Sequence, residues 1–110
     1  MKQERKIIGF KHYYREFMQT LNAGEQRKIH YVLDMLATQE RISSKFVKFI
    51  CDGIYELRAE YESNIYRIFF IFDGDCIVVL FNGFQKKTQK TPESEIKKAI
   101  QLKNEYYGSK

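Results

Sequence analysis

Residues 54–91 constrain this chain more than any other stretch. They read IYELRAEY, ESN, IYRIFFIF, DGD, CIVVLFNGF and QKKTQKT. β-Branched and aromatic residues crowd into runs of strand length, separated by ESN and DGD, whose residues favour turns. This predicts three strands joined by two tight turns and followed by a basic loop. Strand side chains alternate, so Tyr55, Leu57, Ala59 and Tyr61 share one face while Glu56, Arg58 and Glu60 share the other. One face is apolar and the other polar, the pattern of an antiparallel sheet with one wet side. The second run is apolar except for Arg67. Its Tyr66, Ile68, Phe70 and Phe72 point one way, and Ile65, Arg67, Phe69 and Ile71 the other.

An unpaired charge is costly to bury, so Arg67 is expected on the solvent side together with Arg58. A slip of one residue would turn it inward. This parity demands a turn with an even number of residues, either Ser63–Asn64 or the wider Tyr61–Asn64. The wider loop sets Arg58 directly across from Arg67. Two facing cations repel, and such a pair persists more readily when an acidic group or a polyanion lies between them.

The chain before this stretch reads as a short strand near Lys6–Gly9 and then two helices. The first spans His12–Asn22, with Tyr13, Phe17 and Leu21 recurring every fourth residue. The second spans Glu25–Gln39, with Ile29, Val32, Leu33 and Leu36 on one face. So brief a connection predicts an antiparallel helical hairpin. Residues 40–53 are expected to hold a short helical turn that buries Phe46, Val47 and Ile50. Lys45 and Lys48 then lie on its wet side, Lys48 toward the polar face of the sheet. After the sheet, Thr91 is a cap, Pro92 suits the first helical position, and Glu93 and Glu95 favour the positive end of a helix. That helix runs to Tyr106 or Tyr107, with Gly108 ending it. The expected fold is α+β, a single domain over residues 1–110: an N-terminal strand and helical hairpin packed on an antiparallel sheet, with a C-terminal helix.

With 44% hydrophobic residues, nine Phe and eight Tyr, the chain is too apolar to be disordered. Its apolar runs are no longer than strands, so neither a secretory signal nor a membrane span is expected, and the cytoplasm is the expected compartment. The net charge of +5 is uneven. Residues 83–110 carry seven lysines against three glutamates, whereas residues 1–82 are nearly balanced. Such a basic segment suits an acidic partner, nucleic acid first; a solvated, lysine-rich helix satisfies the same balance. Cys51 and Cys76, without a CxxC spacing, read as buried reduced thiols. His12 and His30 stand alone, without metal-ligand spacing. Neither a metal nor a cofactor is expected.

GIYELR at 53–58, NIYRIFFIF at 64–72 and IVVLFNGFQKKTQKTPESEI at 77–96 together resemble the RelE/ParE superfamily of toxins, best its phage-derived, HigB-like branch. The resemblance is strong over roughly residues 48–107 and rests on the combination ELR, YRI and F-x-KKT-x-K-T-P. It implies a toxin encoded beside a helix-turn-helix antitoxin. It also implies a RelE-like endoribonuclease that enters the ribosome, cuts mRNA there without a metal, and thereby stops translation. Cleavage through the RNA's own 2′-hydroxyl needs a proton acceptor, cations for the developing phosphorane charge and a donor for the leaving oxygen. The resemblance assigns Arg58 and Arg67 to the scissile phosphate. It assigns Lys86 or Lys87 to charge stabilisation or proton transfer, and Lys48, Phe84 and Lys90 to RNA binding. Phe84 or Tyr66 offers a ring for a base, although parity turns Tyr66 inward.

In one respect the chain departs from the family pattern. Many RelE-like nucleases carry a Tyr or His near the end of the sheet, where this chain has Asn82, Gly83, Phe84 and Gln85. A lysine-dependent mechanism or weak catalysis follows. Two rival readings stand beside the nuclease: a ParE-like inhibitor of DNA gyrase, and a phage-derived binding protein without catalysis.

Overall fold

The computed structural model describes residues 4–86 and 92–109, with Lys86 described by its backbone only. The elements are β1 (Lys6–Gly9), α1 (Tyr13–Gln19), α2 (Ala23–Thr38), β2 (Val47–Cys51), β3 (Ile54–Tyr61), β4 (Asn64–Asp73), β5 (Ile77–Lys86) and α3 (Glu93–Gly108). The fold is α+β. Its five strands form one sheet in the order β1-β5-β4-β3-β2. Strands β2 to β5 make an antiparallel meander, and β1 joins its β5 side in parallel.

Both faces of the sheet are apolar and both are covered, though unequally. On one side Leu57, Ala59, Tyr66, Ile68, Phe70, Val78 and Leu80 pack with Met18 of α1 and Ile29, Val32, Leu33 and Leu36 of α2. Here α1 lies over β5 and α2 over β3. On the other side Ile54, Phe69, Ile71, Val79 and Phe81 pack with Ala99 and Leu102 of α3, which lies over β5 and β4. The expected apolar face of α2 is therefore the one buried, while of the expected α1 stripe Phe17 and Leu21 pack half-buried against the first cluster and Tyr13 against the second. Each helix leans chiefly on the sheet.

The turns follow from local chemistry. Asp52 and Gly53, at φ 49° and 78°, close the β2–β3 hairpin, and Cys51 pairs with Ile54. Two successive residues with positive φ make the hairpin turn whose twist matches that of the strands, and Asp-Gly is among its strongest signals. Residues 47–51 are thus a strand, not the expected helical turn. The β3–β4 hairpin uses Glu62 and Ser63, at φ 49° and 68°, with Tyr61 paired to Asn64. The turn is even-numbered, as parity required; it is neither of the two anticipated loops, but it sets the register expected of the wider one, Tyr61–Asn64.

Asn22 accepts from the Glu25 backbone, and the Glu25 side chain accepts in return from the Asn22 backbone, a reciprocal cap that starts α2. At α3 the cap position is Pro92, with Glu93 and Glu95 in the first turn; Thr91, the expected cap, lies outside the described residues. Cys51 and Cys76 form no disulfide and are half-buried, more accessible than the buried thiols expected. No helix among the described residues is long and apolar enough to cross a membrane.

Candidate functional site

The register of three strands assembles the site. Arg58 of β3 pairs with Arg67 of β4, and Arg67 pairs in turn with Phe84 of β5. Partners on adjacent strands are about 5 Å apart, so two guanidinium-bearing positions and one aromatic position form a row across the sheet. The face is the one that carries α3. Lys48 of β2 enters it opposite Glu56, and Lys86 takes the register position opposite Ile65. Lys48 is exposed, on a strand edge rather than on a helical turn.

A β-bulge puts Phe84 in this row. Between the pairs Ile68–Gly83 and Phe70–Leu80, both Phe81 and Asn82 oppose the single residue Phe69. One extra residue reverses the alternation beyond it. Phe81 and Phe84 therefore both belong to the α3 side, and the rings of Phe69 and Phe84 lie 5.5 Å apart. The bulge is also anchored. Asn82 Nδ2 donates to the Glu95 carbonyl at 3.1 Å and to Glu95 Oε1 at 2.9 Å, tying the first turn of α3 to β5.

Arg67 differs from expectation in its surroundings. It lies on the same side as Arg58 and directly opposite it, as parity required, but it is only 5% exposed. Glu56, 1% exposed, accepts a hydrogen bond from Arg67 Nη1 and forms a buried ion pair with it. The acidic group that two facing arginines call for is thus supplied by the chain itself. The solvent-facing arginine of the sequence reading is corrected accordingly: Arg67 is buried and neutralised, while Arg58 is half-buried and makes no ion pair among the described residues. Among those residues, Arg67 Nε and Asn82 Oδ1 are buried polar side-chain atoms without a hydrogen-bond partner. Such atoms are rare in folded proteins and often mark a site that is completed by something else.

Tyr66 is inward and buried, so its ring is not offered to a ligand. Its hydroxyl donates to Glu25 Oε2 of α2. Burial first, and this carboxylate second, push its pKa up to about 12, while the same bond holds Glu25 below its ordinary value. Lys87 and Lys90 lie outside the described residues. No group of three or more His, Cys, Asp or Glu side chains able to hold a metal occurs among the described residues.

Sequence reasoning placed Glu56 on the arginine face but did not identify it as the partner of Arg67. It also missed a small cleft of about 230 Å³ beside Arg58, lined by Lys28, Lys45, Phe46, Arg58 and Glu60. Its residues come from α2, from the turn before β2 and from β3, and no local spacing links them.

No curated protein matches the chain. The family model described as phage-derived, Gp49-like protein matches residues 16–104, which include α2, the whole β2–β5 meander and most of α3. That family is RelE-like, and its members are often toxins of toxin–antitoxin pairs. The matched span covers the row of Arg58, Arg67 and Phe84 with the bulge that aligns it, and the chain belongs to the Gp49-like family of phage-derived, RelE-like toxins.

Proposed function

We propose that this chain is the toxin of a type II toxin–antitoxin pair, of the HigB-like branch, and that it works in the cytoplasm as one domain cutting mRNA on the ribosome. The observation that carries the reading is the row of Arg58, Arg67 and Phe84, two cation positions and a ring on neighbouring strands, with the register position of Lys86 two pairs further along on the same face. In this reading the 2′-oxygen attacks the adjacent phosphorus and the bond to the 5′-oxygen breaks. The products are a 2′,3′-cyclic phosphate and a 5′-hydroxyl, and no water is consumed. Arg58 binds the phosphate. Arg67, held by Glu56, presents its remaining donors to the developing charge. Lys86 or Lys87 carries the proton, and Phe84, Lys48 and Lys90 hold the flanking RNA. The partner that restrains the toxin is a helix-turn-helix antitoxin.

One observation favours a second reading, a binding protein without catalysis. The buried Glu56–Arg67 pair occupies one of the two arginines, and Asn82 to Gln85 offer no titratable group. Controlled expression with mapping of mRNA 5′ ends separates the readings. In-frame cuts that vanish when translation is blocked, and that Arg58→Ala abolishes, are expected. Growth arrest with intact mRNA and supercoiling defects would establish a gyrase inhibitor instead. Absence of both arrest and cuts would establish the binding protein.

A further inference from the structure

The cleft beside Arg58 gathers cations from α2, from the turn before β2 and from β3. Lys28, Lys45 and Arg58 converge on about 230 Å³ of space together with Phe46 and one carboxylate, Glu60. None of the three cations is ion-paired among the described residues, whereas Arg67, one strand away, is neutralised. The walls are fixed from the backbone. Arg58 N–H donates to the Phe46 carbonyl at 2.7 Å, and the Phe46 and Val47 amides donate to the Ser43 carbonyl at 2.9 and 3.2 Å. The Lys45 amide donates to Ser43 Oγ at 3.1 Å. Lys45 Nζ lies 5.5 Å from the centre of the Phe46 ring, and Lys28 Nζ lies 5.2 Å from that of the exposed Tyr31. Cations interleaved with aromatic rings along a groove are the features by which proteins hold single-stranded nucleic acid.

We propose that this cleft seats a nucleotide of single-stranded RNA next to the one at Arg58, with its phosphate on Lys28 and Lys45 and its base against Phe46. The inference rests on the reading of this chain as an RNA-binding toxin and names a contact that reading does not require. Glu60 bears on the occupant. Its carboxylate repels a phosphate and an acidic side chain alike, so the anion sits on the lysines, and it accepts hydrogen bonds from a ribose hydroxyl or a base N–H, which a nucleotide carries beside its phosphate. The size also fits: the space is below the usual range for drug-sized ligands, about 300–1,000 Å³, and suits one nucleotide in a longer strand.

The test is fluorescence anisotropy of the whole chain with a labelled single-stranded RNA of about ten nucleotides, across a range of salt. Lys28→Gln with Lys45→Gln is expected to weaken binding roughly tenfold and to reduce the salt slope by about 0.7, the loss of one neutralised phosphate on a single strand. Thermal melts of the variant, unchanged from the parent, show that folding is not the cause. An unchanged slope, or a parent that binds no RNA, overturns the proposal even if the parent cuts mRNA in cells. Equal binding of a polyglutamate peptide, lost in the same variant, also overturns it by making the occupant a protein. Cleft-dependent RNA binding without mRNA cleavage upholds the proposal and removes the nuclease reading.

Discussion

Arg67 is where the alternation of side chains and the physics of burial pull apart. Alternation places it beside Arg58 correctly. The rule that charges avoid the interior then sends it to solvent, but a buried charge is tolerated when a partner goes in with it, and Glu56 does so. Which of the charges on one face pair up, and how far a distant helix covers them, depends on contacts between residues far apart in the chain. The consequence is measurable. Arg67→Ala is expected to lower stability by about 3–5 kcal/mol, because it takes the guanidinium away from a buried carboxylate. Arg58→Ala, with no ion pair to lose among the described residues, is expected to change stability by less than about 1 kcal/mol. Urea denaturation of both variants checks this, and equal stabilities would mean that the Glu56–Arg67 pair does not support the fold. Loss of toxicity in Arg67→Ala is therefore informative only beside its melt, whereas in Arg58→Ala it reports on function directly.

At the scale of elements, β3, β4, α2 and α3 were legible because their apolar periods are long and unbroken. β2 was not, since VKFIC is short and carries an exposed Phe49, even though Asp52-Gly53 beside it is a strong hairpin signal. The bulge in β5 was illegible for another reason, because it is defined only against β4. Gly83 beside it is required by packing: a Cβ there would run into the ring of Phe17 from α1. Gly83→Ala is expected to destabilise by about 1–3 kcal/mol through overpacking, read as a lower melting temperature. The opposite sign is expected at the β3–β4 turn. Ser63 holds φ 68°, a conformation disfavoured by roughly 1–2 kcal/mol for residues with a Cβ. Ser63→Gly is expected to raise the melting temperature, and a fall would show that the Ser63 side chain contributes more than the turn strain.

Across the whole molecule, the hydrogen bond from Tyr66 to Glu25 joins α2 to the centre of the sheet and makes stability depend on pH. Glu25 lies below its ordinary 4.5, so its contribution is complete above that pH and is lost as pH falls through the lowered value. Tyr66 is raised from 10.0 to about 12, so its contribution is complete below 10.0 and is lost as pH rises through about 12. Tyr66→Phe is expected to flatten both flanks of a plot of melting temperature against pH and to move the Glu25 carboxyl back toward 4.5 in an NMR titration. The overall architecture was legible from the order of patterns along the chain. The candidate site was legible only where its residues lie on one strand or on strands joined by a short turn, as with Arg58 and Arg67. The cleft that brings Lys28 to Phe46 depends on how α2 crosses the sheet.

The single supernumerary residue in β5 sets the phase of everything after it. Without the bulge, the same residues in an unbroken ladder would set Gly83 opposite Arg67 and turn the Phe84 ring to the side of α1 and α2. One extra residue in the ladder thus decides whether a nucleotide beside Arg67 meets a phenyl ring or bare backbone.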